Sequence, residues 1–433
     1  MRHDAPMIKH NLQHSWSTRG LFVAMAALIA GPVFATNGYF ASGYGIKSDG
    51  VAGAGIAFAQ DSLTVATNPA GLTDIGDAFD IGVDVFLPQR SATLEQGGTA
   101  TKFDGDGVST FYIPSVGYAR HLTRDLAVGI ALFGNGGLNT DYSVNPFGRF
   151  GAQGAAGVDL EQAFLSPAIA YRIGGGQTLG LAVNLAYQRF KAKGIGLFGG
   201  FSSDPVAVSN HGYDSSTGAG ARLGWTGHFG PYLTLGATWQ SKTAMARFKD
   251  YAGLFADRGG FDIPSTYGVG VALTPDSHWT VAFDWQKIDY SDVASVGDDI
   301  ASLFAGVPLG ANNGPGFGWR DVSVFKLGVS IRVNEQLTLR AGASTNRQPV
   351  PASQTFFNVL APGVVQTHLA VGGSWHIDAS NSINLSYQHA FRRSVDGSGS
   401  IPPSFGGGEV NLSLEEDVVG VGYSHQLGVR DGS

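Results

Sequence analysis

Apolar residues alternate with small or polar residues along most of this chain, and this two-residue period constrains the fold more than any other feature. In the segment 179–188, LGLAVNLAYQ, the leucines share one face with Val183 and Tyr187, while small and amide side chains occupy the other. Successive side chains of a β-strand point to opposite faces, so each such segment is predicted to be a strand with one apolar face. The chain is therefore predicted to be all-β.

Fourteen segments follow this pattern, and the lengths of their connections alternate. The predicted strands are 79–88, 109–120, 125–133, 159–173, 177–193, 217–229, 232–241, 265–274, 278–289, 322–333, 336–345, 365–377, 380–391 and 417–427. Six connections are short turns and the seven between them are long loops, which is typical of outer-membrane barrels. Because lipid cannot satisfy the free amides of an edge strand, the sheet must close on itself.

We therefore predict a fourteen-stranded antiparallel transmembrane β-barrel with an N-terminal plug in its lumen. A soluble β-sandwich or a β-solenoid is the alternative fold. The apolar faces are uniform around the whole set of strands, and the sequence has no short repeat, so both alternatives are disfavoured.

The composition of the chain and its N-terminal residues also indicate the outer membrane. Residues 1–35 have the features of a secretory signal peptide: basic residues, an apolar run at 21–30, and a small residue, Ala35, at the cleavage position. Charged residues make up only 14% of the chain, whereas soluble domains usually carry about 25%. No apolar stretch of about 20 residues follows the signal. We predict a multi-pass barrel in the outer membrane of a Gram-negative bacterium.

The segment between the signal peptide and the first strand differs from both. Thr36–Leu72 is too rich in glycine and alanine to be a strand and too apolar to be a solvated linker. A small, tightly packed segment ahead of a barrel is most simply a plug, and a plugged barrel is a gated transporter rather than an open pore. The predicted organisation is signal peptide 1–35, plug 36–78, barrel 79–427 and C-terminal extension 428–433.

Two stretches resemble a known family. TNGYFASGYGIKSDGVAGAGIAFAQDSLTVATNPAGL (Thr36–Leu72) is similar to the N-terminal hatch of the FadL/TodX-type outer-membrane transporters and contains that family's NPA motif at Asn68-Pro69-Ala70. Gly316–Gly372 also resembles the family, with landmarks at Trp319-Arg320-Asp321 and Pro349-Val350-Pro351. The resemblance implies passive uptake of long-chain fatty acids or other hydrophobic molecules. It also implies capture by loops, an internal pocket and a lateral exit, with no enzymatic step.

The candidate gating residues are Asn68, Pro69 and Ala70, at the end of the predicted plug. A plain turn is the alternative interpretation, since Asn-Pro commonly opens turns.

A fatty-acid carboxylate needs a cationic or hydrogen-bonding partner, and Arg320 is the candidate for this role. The family's pocket Arg and Lys align with Gly194 and with the vicinity of Pro315, so the expected basic residues are missing. The nearby bases at 189, 191 and 193 are predicted to face outward, toward lipopolysaccharide phosphates.

Several predicted loops are unusually apolar, and exposed apolar surface usually marks a binding site. The candidate ligand contacts in these loops are Phe198, Phe201, Leu254, Phe255, Leu303 and Phe304. Residues 301–305 are expected to form a short helix. Packing of the loops against one another is the alternative interpretation.

Other classes of function find less support in the sequence. There is no cysteine, which excludes disulfides and cysteine metal sites, and the histidines lack metal-ligand spacing. The net charge of −7 argues against a nucleic-acid partner. No enzyme, cofactor or metal is expected, and the protein is expected to be a monomer in contact with outer-membrane lipid. The alternatives kept open are a surface adhesin or structural barrel, and a small-molecule porin.

Overall fold

The alternating segments form one antiparallel sheet. The computed structural model of the chain describes residues 37–428, so the predicted signal peptide and residues 429–433 of the predicted C-terminal extension lie outside the described residues. The strands are β1 (Ala78–Gln96), β2 (Thr99–Asp104), β3 (Phe111–His121), β4 (Leu126–Tyr142), β5 (Ala156–Gly174), β6 (Gln177–Lys193), β7 (Asp214–Phe229), β8 (Leu233–Gln240), β9 (Ala244–Met245), β10 (Thr266–Leu273), β11 (Trp279–Ile288), β12 (Val322–Arg332), β13 (Leu337–Asn346), β14 (Thr367–His376), β15 (Asn381–Val395) and β16 (Glu409–Gln426).

The sheet closes into a barrel. Fourteen of the strands follow one another around the wall, and β1 pairs with β16 from Ala78↔Gln426 to Glu95↔Glu409. The short strand β2 pairs with β1, and the short strand β9 pairs with β7. Neither is one of the fourteen strands that close the barrel. The predicted fourteen-stranded antiparallel barrel is confirmed.

The two faces of the wall differ in the way that the alternation predicts. On β6, Leu179 is 50% exposed and Leu181 is 43% exposed, whereas Ala182 on the other face is only 1% exposed. Such a surface of large apolar side chains suits hydrocarbon outside the barrel, while the inner face carries small and polar residues.

Three strands extend eight or nine residues further than predicted. β1 ends at Gln96, β4 ends at Tyr142, and β16 begins at Glu409. The prediction stopped where apolar alternation stops, but the backbone ladder continues beyond that point. Polar residues such as Asp141 and Glu415 replace apolar ones there, so these ends of the strands rise above the apolar belt.

Within residues 37–428, regular helix is confined to short turns. The α-helical turns are Ile46–Asp49, Ala256–Gly259, Ala294–Gly297, Ala301–Phe304 and Thr355–Asn358, and the 3-10 turns are Ser62–Ala66, Pro69–Thr73, Gly148–Phe150, Gly196–Phe201, Tyr290–Asp292, Ala352–Gln354 and Pro403–Phe405. The helix expected at 301–305 is therefore present. Within the described residues, no helix has the length and apolar character needed to cross a membrane.

Residues 37–77, here called the N-terminal segment, pack against the inner face of the wall. Every residue from Asn37 to Thr73 is buried or half-buried. The approach is close because glycines face the segment: a Cβ at Gly180 would lie 2.2 Å from the backbone nitrogen of Ala70. Similar contacts join Gly236 to Ile56, Gly342 to Val51 and Gly224 to Asn68.

The wall is incompletely paired between β3 and β4. Their pairing begins at His121↔Ala127 and stops at Val116↔Leu132, although β3 continues to Phe111. Beyond that point β4 carries a bulge at residues 134–136, and residues 39–41 of the N-terminal segment pair with it instead. The amide of Ala41 donates to the carbonyl of Asn135 at 3.1 Å, and the amide of Gly137 donates to the carbonyl of Tyr39 at 2.9 Å. We call this place the wall gap.

Close packing at the inner glycines yields a first prediction. Gly180→Ala should displace the N-terminal segment, because the added Cβ meets backbone rather than a flexible side chain, and overpacking of this kind costs about 1–3 kcal/mol. We expect higher ion conductance in planar bilayers and a lower melting temperature. Gly200→Ala is the matched control, because a Cβ at that exposed glycine would meet nothing within 4 Å. Unchanged conductance in both variants would contradict the prediction.

Candidate functional site

Polar side chains of the wall fasten the N-terminal segment from several directions. The Asp284 carboxylate accepts hydrogen bonds from the amides of Gly55 and Ile56, at 2.7 and 3.0 Å. On the neighbouring strand, Lys326 donates to the carbonyl of Ser42 at 2.7 Å. These bonds satisfy backbone groups that helix or sheet does not pair, so the wall itself supplies the partners that a buried irregular segment requires.

Asn68, Pro69 and Ala70 lie where the segment meets β6 and β7. The Asn68 side chain donates to the carbonyls of Ile56 and Trp225, at 2.7 and 3.0 Å, and accepts from the amide of Ala70 at 3.1 Å. Pro69 follows as the first residue of a 3-10 turn, a position that its fixed φ favours. The motif is thus a turn, and its asparagine also joins two parts of the segment to the wall.

Three aromatic residues hold the beginning of the segment. The Tyr290 hydroxyl donates to the carbonyl of Asn37 and accepts from the amide of Tyr39. The Tyr39 ring lies 5.2 Å from the Tyr290 ring and 5.8 Å from the Trp319 ring, measured between centroids. All three rings are fully buried. The sequence offered no periodic signal for Tyr290, which lies in a loop.

Arg90 frames the wall gap on the side of the long loops. Its guanidinium lies 3.1 Å from the Asp106 carboxylate, and it donates to both the carbonyl and the side-chain oxygen of Asn139, each at 2.7 Å. Arg90 belongs to β1 and Asn139 to β4, so this one side chain joins strands on either side of the shortened β3.

An apolar cavity of about 40 Å³ lies beneath the long loops. It is lined by Val158, Phe190, Ile195, Phe198, Leu254, Phe255, Ser295, Leu309, Pro315, Gly316, Phe317, Phe357 and Leu360. Three of the predicted ligand contacts, Phe198, Leu254 and Phe255, are therefore brought together. The other lining residues come from β5, β6 and two further loops, and only the fold makes them neighbours.

The remaining candidates lie elsewhere. Leu303 is buried among the loops, and Phe304 is 38% exposed. Phe201 and Phe304 both contact the ring of Phe405, a residue that the sequence did not single out.

Arg320 is exposed and lines a separate, open polar groove with Asp299 and Gln354, so it does not reach the apolar cavity. The adjacent Asp321 pairs with Lys287 at 3.0 Å.

The three basic residues at the end of β6 share the outward face, as predicted. Each is paired with a carboxylate. Arg189 pairs with Glu161 at 2.7 Å and Lys191 with Asp159 at 3.4 Å, both on the neighbouring β5, and Lys193 pairs with Asp141 of β4 at 2.8 Å. Their charges are therefore balanced within the wall.

The family model for "Outer membrane protein transport protein (OMPP1/FadL/TodX)" matches residues 27–426. The chain belongs to this family. It is accordingly an outer-membrane transport protein of a Gram-negative bacterium, as the sequence predicted. Among curated proteins, none matches the chain significantly.

Solved structures with the FadL/TodX fold are similar along nearly their whole length. The Pseudomonas putida toluene transporter TodX is 22% identical, with a TM-score of 0.67, and the match covers 90% of this chain and 100% of that one. The Ralstonia pickettii toluene transporter TbuX is 19% identical, with a TM-score of 0.63 over 89% and 99% of the two chains. A Pseudomonas aeruginosa FadL homologue is 14% identical, with a TM-score of 0.67 over 90% and 99%. At these identities the likeness establishes the fold alone.

The three hydrogen bonds of Asn68 lead to a second prediction. Asn68→Ala leaves buried backbone groups without partners, at about 1–3 kcal/mol for each group, so the segment should loosen while the barrel remains assembled. We expect conductance to rise and substrate uptake to fall, with unchanged heat-modifiable migration of the barrel in gels. Asn334→Ala is the control, because that asparagine caps an exposed turn between β12 and β13. If the two variants have the same conductance and the same uptake, Asn68 has no role in gating.

Proposed function

We propose that this protein imports small hydrophobic molecules across the outer membrane by a passive route. The observation that carries the proposal is a cavity of about 40 Å³ whose lining is apolar except for Ser295, in a member of an outer-membrane transporter family. The cavity is well below the usual volume of small-molecule sites, about 300–1,000 Å³, so the loops around it must move apart to admit cargo. Transfer of a solute into such a lining is favoured by about 0.8 kcal/mol for each buried methylene.

The lining of this cavity suits neutral hydrocarbons better than fatty acids. No cationic residue is among those that line it, and the predicted partner of a carboxylate, Arg320, lies in the separate polar groove. Burying a carboxylate without a partner is costly, so an acid headgroup gains nothing from this lining. Two of the structurally similar proteins are named as toluene transporters. Long-chain fatty acids remain the alternative cargo.

The proposed exit is the wall gap. Residues 39–41 occupy it through two backbone hydrogen bonds, and each such bond contributes only about 0.5–1.5 kcal/mol. Beside the gap, outward-facing Tyr112 is 55% exposed and Leu132 belongs to the apolar belt, so an opening there leads toward hydrocarbon. In this proposal the N-terminal segment is the plug, and its first residues must leave β4 for cargo to pass.

Cargo class can be tested by uptake. Cells that lack the protein should take up radiolabelled toluene faster when complemented with it, whereas oleate uptake should change little. Methyl oleate is the matched probe, because it keeps the chain length of oleate and removes the charge. If methyl oleate is taken up and oleate is not, the carboxylate is the group that the protein excludes. Equal stimulation of oleate and toluene would overturn the preference for neutral cargo.

The exit can be tested by tethering. Ala41 and Asn135 lie opposite one another in an antiparallel pair, for which a Cα separation of about 5.5 Å suits a disulfide. Oxidised Ala41→Cys/Asn135→Cys should block toluene uptake, and reduction should restore it, since the chain has no other cysteine.

A second tether serves as the control. The side-chain oxygens of Thr73 and Thr178 are 3.0 Å apart at the far end of the segment. Oxidised Thr73→Cys/Thr178→Cys should transport normally, because that end need not move. Full transport by the oxidised Ala41–Asn135 pair would exclude the wall gap as the exit.

A further inference from the structure

Three basic residues line the outward face of β6 at its outer end. Arg189, Lys191 and Lys193 alternate with Phe190 and Ala192, which are buried and face the lumen. Residues two apart on a strand are about 6.6 Å apart, so the three charged residues extend over about 13 Å. We call them the basic ridge.

The basic ridge lies at the level of the outer lipid headgroups. Strand β6 begins after the short turn at residues 175–176 and ends at a long loop, so its last residues are on the outer side. Its apolar outward face begins at Leu179. From there to Arg189 the strand advances about 33 Å, which is about 25 Å across the membrane at a tilt of about 40°. The apolar band of a barrel is about 25 Å tall, so the basic ridge begins where that band ends.

The carboxylates that pair with the basic ridge lie beneath it. The side chains of Glu161 and Asp159 are only 3% and 4% exposed, whereas those of their partners Arg189 and Lys191 are 25% and 39% exposed. In the outermost pair, Lys193 is 41% exposed and its partner carboxylate 23%. The pairs are neutral as a whole, but guanidinium and ammonium groups form the surface that faces the membrane.

Tyr213 holds two of these cations in place. The centroid of its ring lies 4.3 Å from the guanidinium carbon of Arg189 and 4.3 Å from the Nζ of Lys191. A cation over an aromatic face is attracted to the ring. The Tyr213 hydroxyl donates to the carboxylate of Asp159 at 2.6 Å, which fixes the ring. Because these side chains are already ordered, they lose little conformational entropy when a ligand binds.

A second charged cluster on the outward face lacks this arrangement. Lys287, in the last turn of β11 before its loop, lies 3.0 Å from the carboxylates of both Asp289 and Asp321. The side chains of Lys287 and Asp321 are equally exposed, at 29%. An anionic ligand there would meet a carboxylate together with the lysine, and the two carboxylates outnumber the one cation. This cluster therefore provides a control for the basic ridge.

We propose that the basic ridge binds the phosphate groups of lipid A, the phosphorylated and acylated glucosamine disaccharide of the outer leaflet. Guanidinium and ammonium groups are the usual partners of phosphate, and arginine can bond it in a bidentate manner. Directly below the ridge on the same face of β6 lie Tyr187 and Leu185, so the acyl chains of the same molecule lie against apolar side chains. This interaction is independent of the cargo that the barrel carries.

Native mass spectrometry of the purified full-length protein in detergent tests the proposal. The probes are diphosphoryl lipid A and the same lipid after removal of both phosphates. Wild-type protein should bind the diphosphoryl form at least about thirtyfold more tightly. Lys191→Gln/Lys193→Gln should bind that form about thirtyfold more weakly than the wild type does, because each lysine near an anionic lipid surface contributes about fivefold. Its affinity for the dephosphorylated lipid should not change.

The double variant is chosen so that the barrel still assembles. Glu161 keeps its pair with Arg189, and Asp159 keeps the hydrogen bond from Tyr213. Unchanged heat-modifiable migration in gels checks assembly. Lys193→Gln alone leaves both buried carboxylates paired and should weaken binding of diphosphoryl lipid A by about fivefold.

Two further variants separate position from charge. Lys242→Gln/Lys287→Gln removes the same charge from lysines that pair with other carboxylates, and it should bind as the wild type does. Lys191→Arg/Lys193→Arg keeps the charge of the basic ridge and should also bind as the wild type does.

Equal binding of the two lipids by wild-type protein would overturn the proposal. Equal binding of diphosphoryl lipid A by the wild type and by correctly assembled Lys191→Gln/Lys193→Gln would overturn it as well. If inorganic phosphate binds the wild type as tightly as lipid A does, the basic ridge is a site for small anions, and the proposal fails.

Discussion

The structure depends on backbone-to-backbone packing between the N-terminal segment and the inner face of the barrel. A lumen surrounded by fourteen strands is too narrow for a segment with large side chains on both surfaces, so glycine is needed where the two backbones meet. Gly180 against Ala70 and Gly342 against Val51 illustrate this requirement. The small residues of the segment and the inward glycines of the wall are therefore two parts of one solution, although they lie far apart in the chain.

Close packing of irregular backbone raises a second requirement, because its amides and carbonyls are buried away from water. The wall meets it with side chains such as Asp284 and Lys326, which would be costly in the barrel interior without these partners. The polar inner face and the irregular segment thus stabilise each other. Removing one partner leaves the other unsatisfied, which is why single substitutions here are expected to affect conductance more than assembly.

The segment is held unevenly, and this matters for transport. Near its end, Asn68 and Thr73 are bonded to the wall by side chains. At its beginning, residues 39–41 replace a strand in the wall gap, supported by the rings of Tyr290 and Trp319. A barrel needs closure to be stable in lipid, whereas a lateral exit needs an opening. In the proposed mechanism, a separate segment that closes the gap allows one wall to satisfy both conditions at different times.

The sequence by itself determined the barrel, its strand number and the inward and outward faces. Lipid outside the wall requires an apolar side chain at every second position of each strand, and this alternation is visible in the sequence. It also located the NPA turn and three residues of the cavity, Phe198, Leu254 and Phe255. Only the tertiary structure decided the rest: the wall gap, the bonds of Tyr290 and Arg90, and the ring contacts of Phe405. These depend on contacts between loops and strands that are distant in sequence and have no period. For the same reason Arg320, which belongs to a family landmark, lies in a different groove from the cavity.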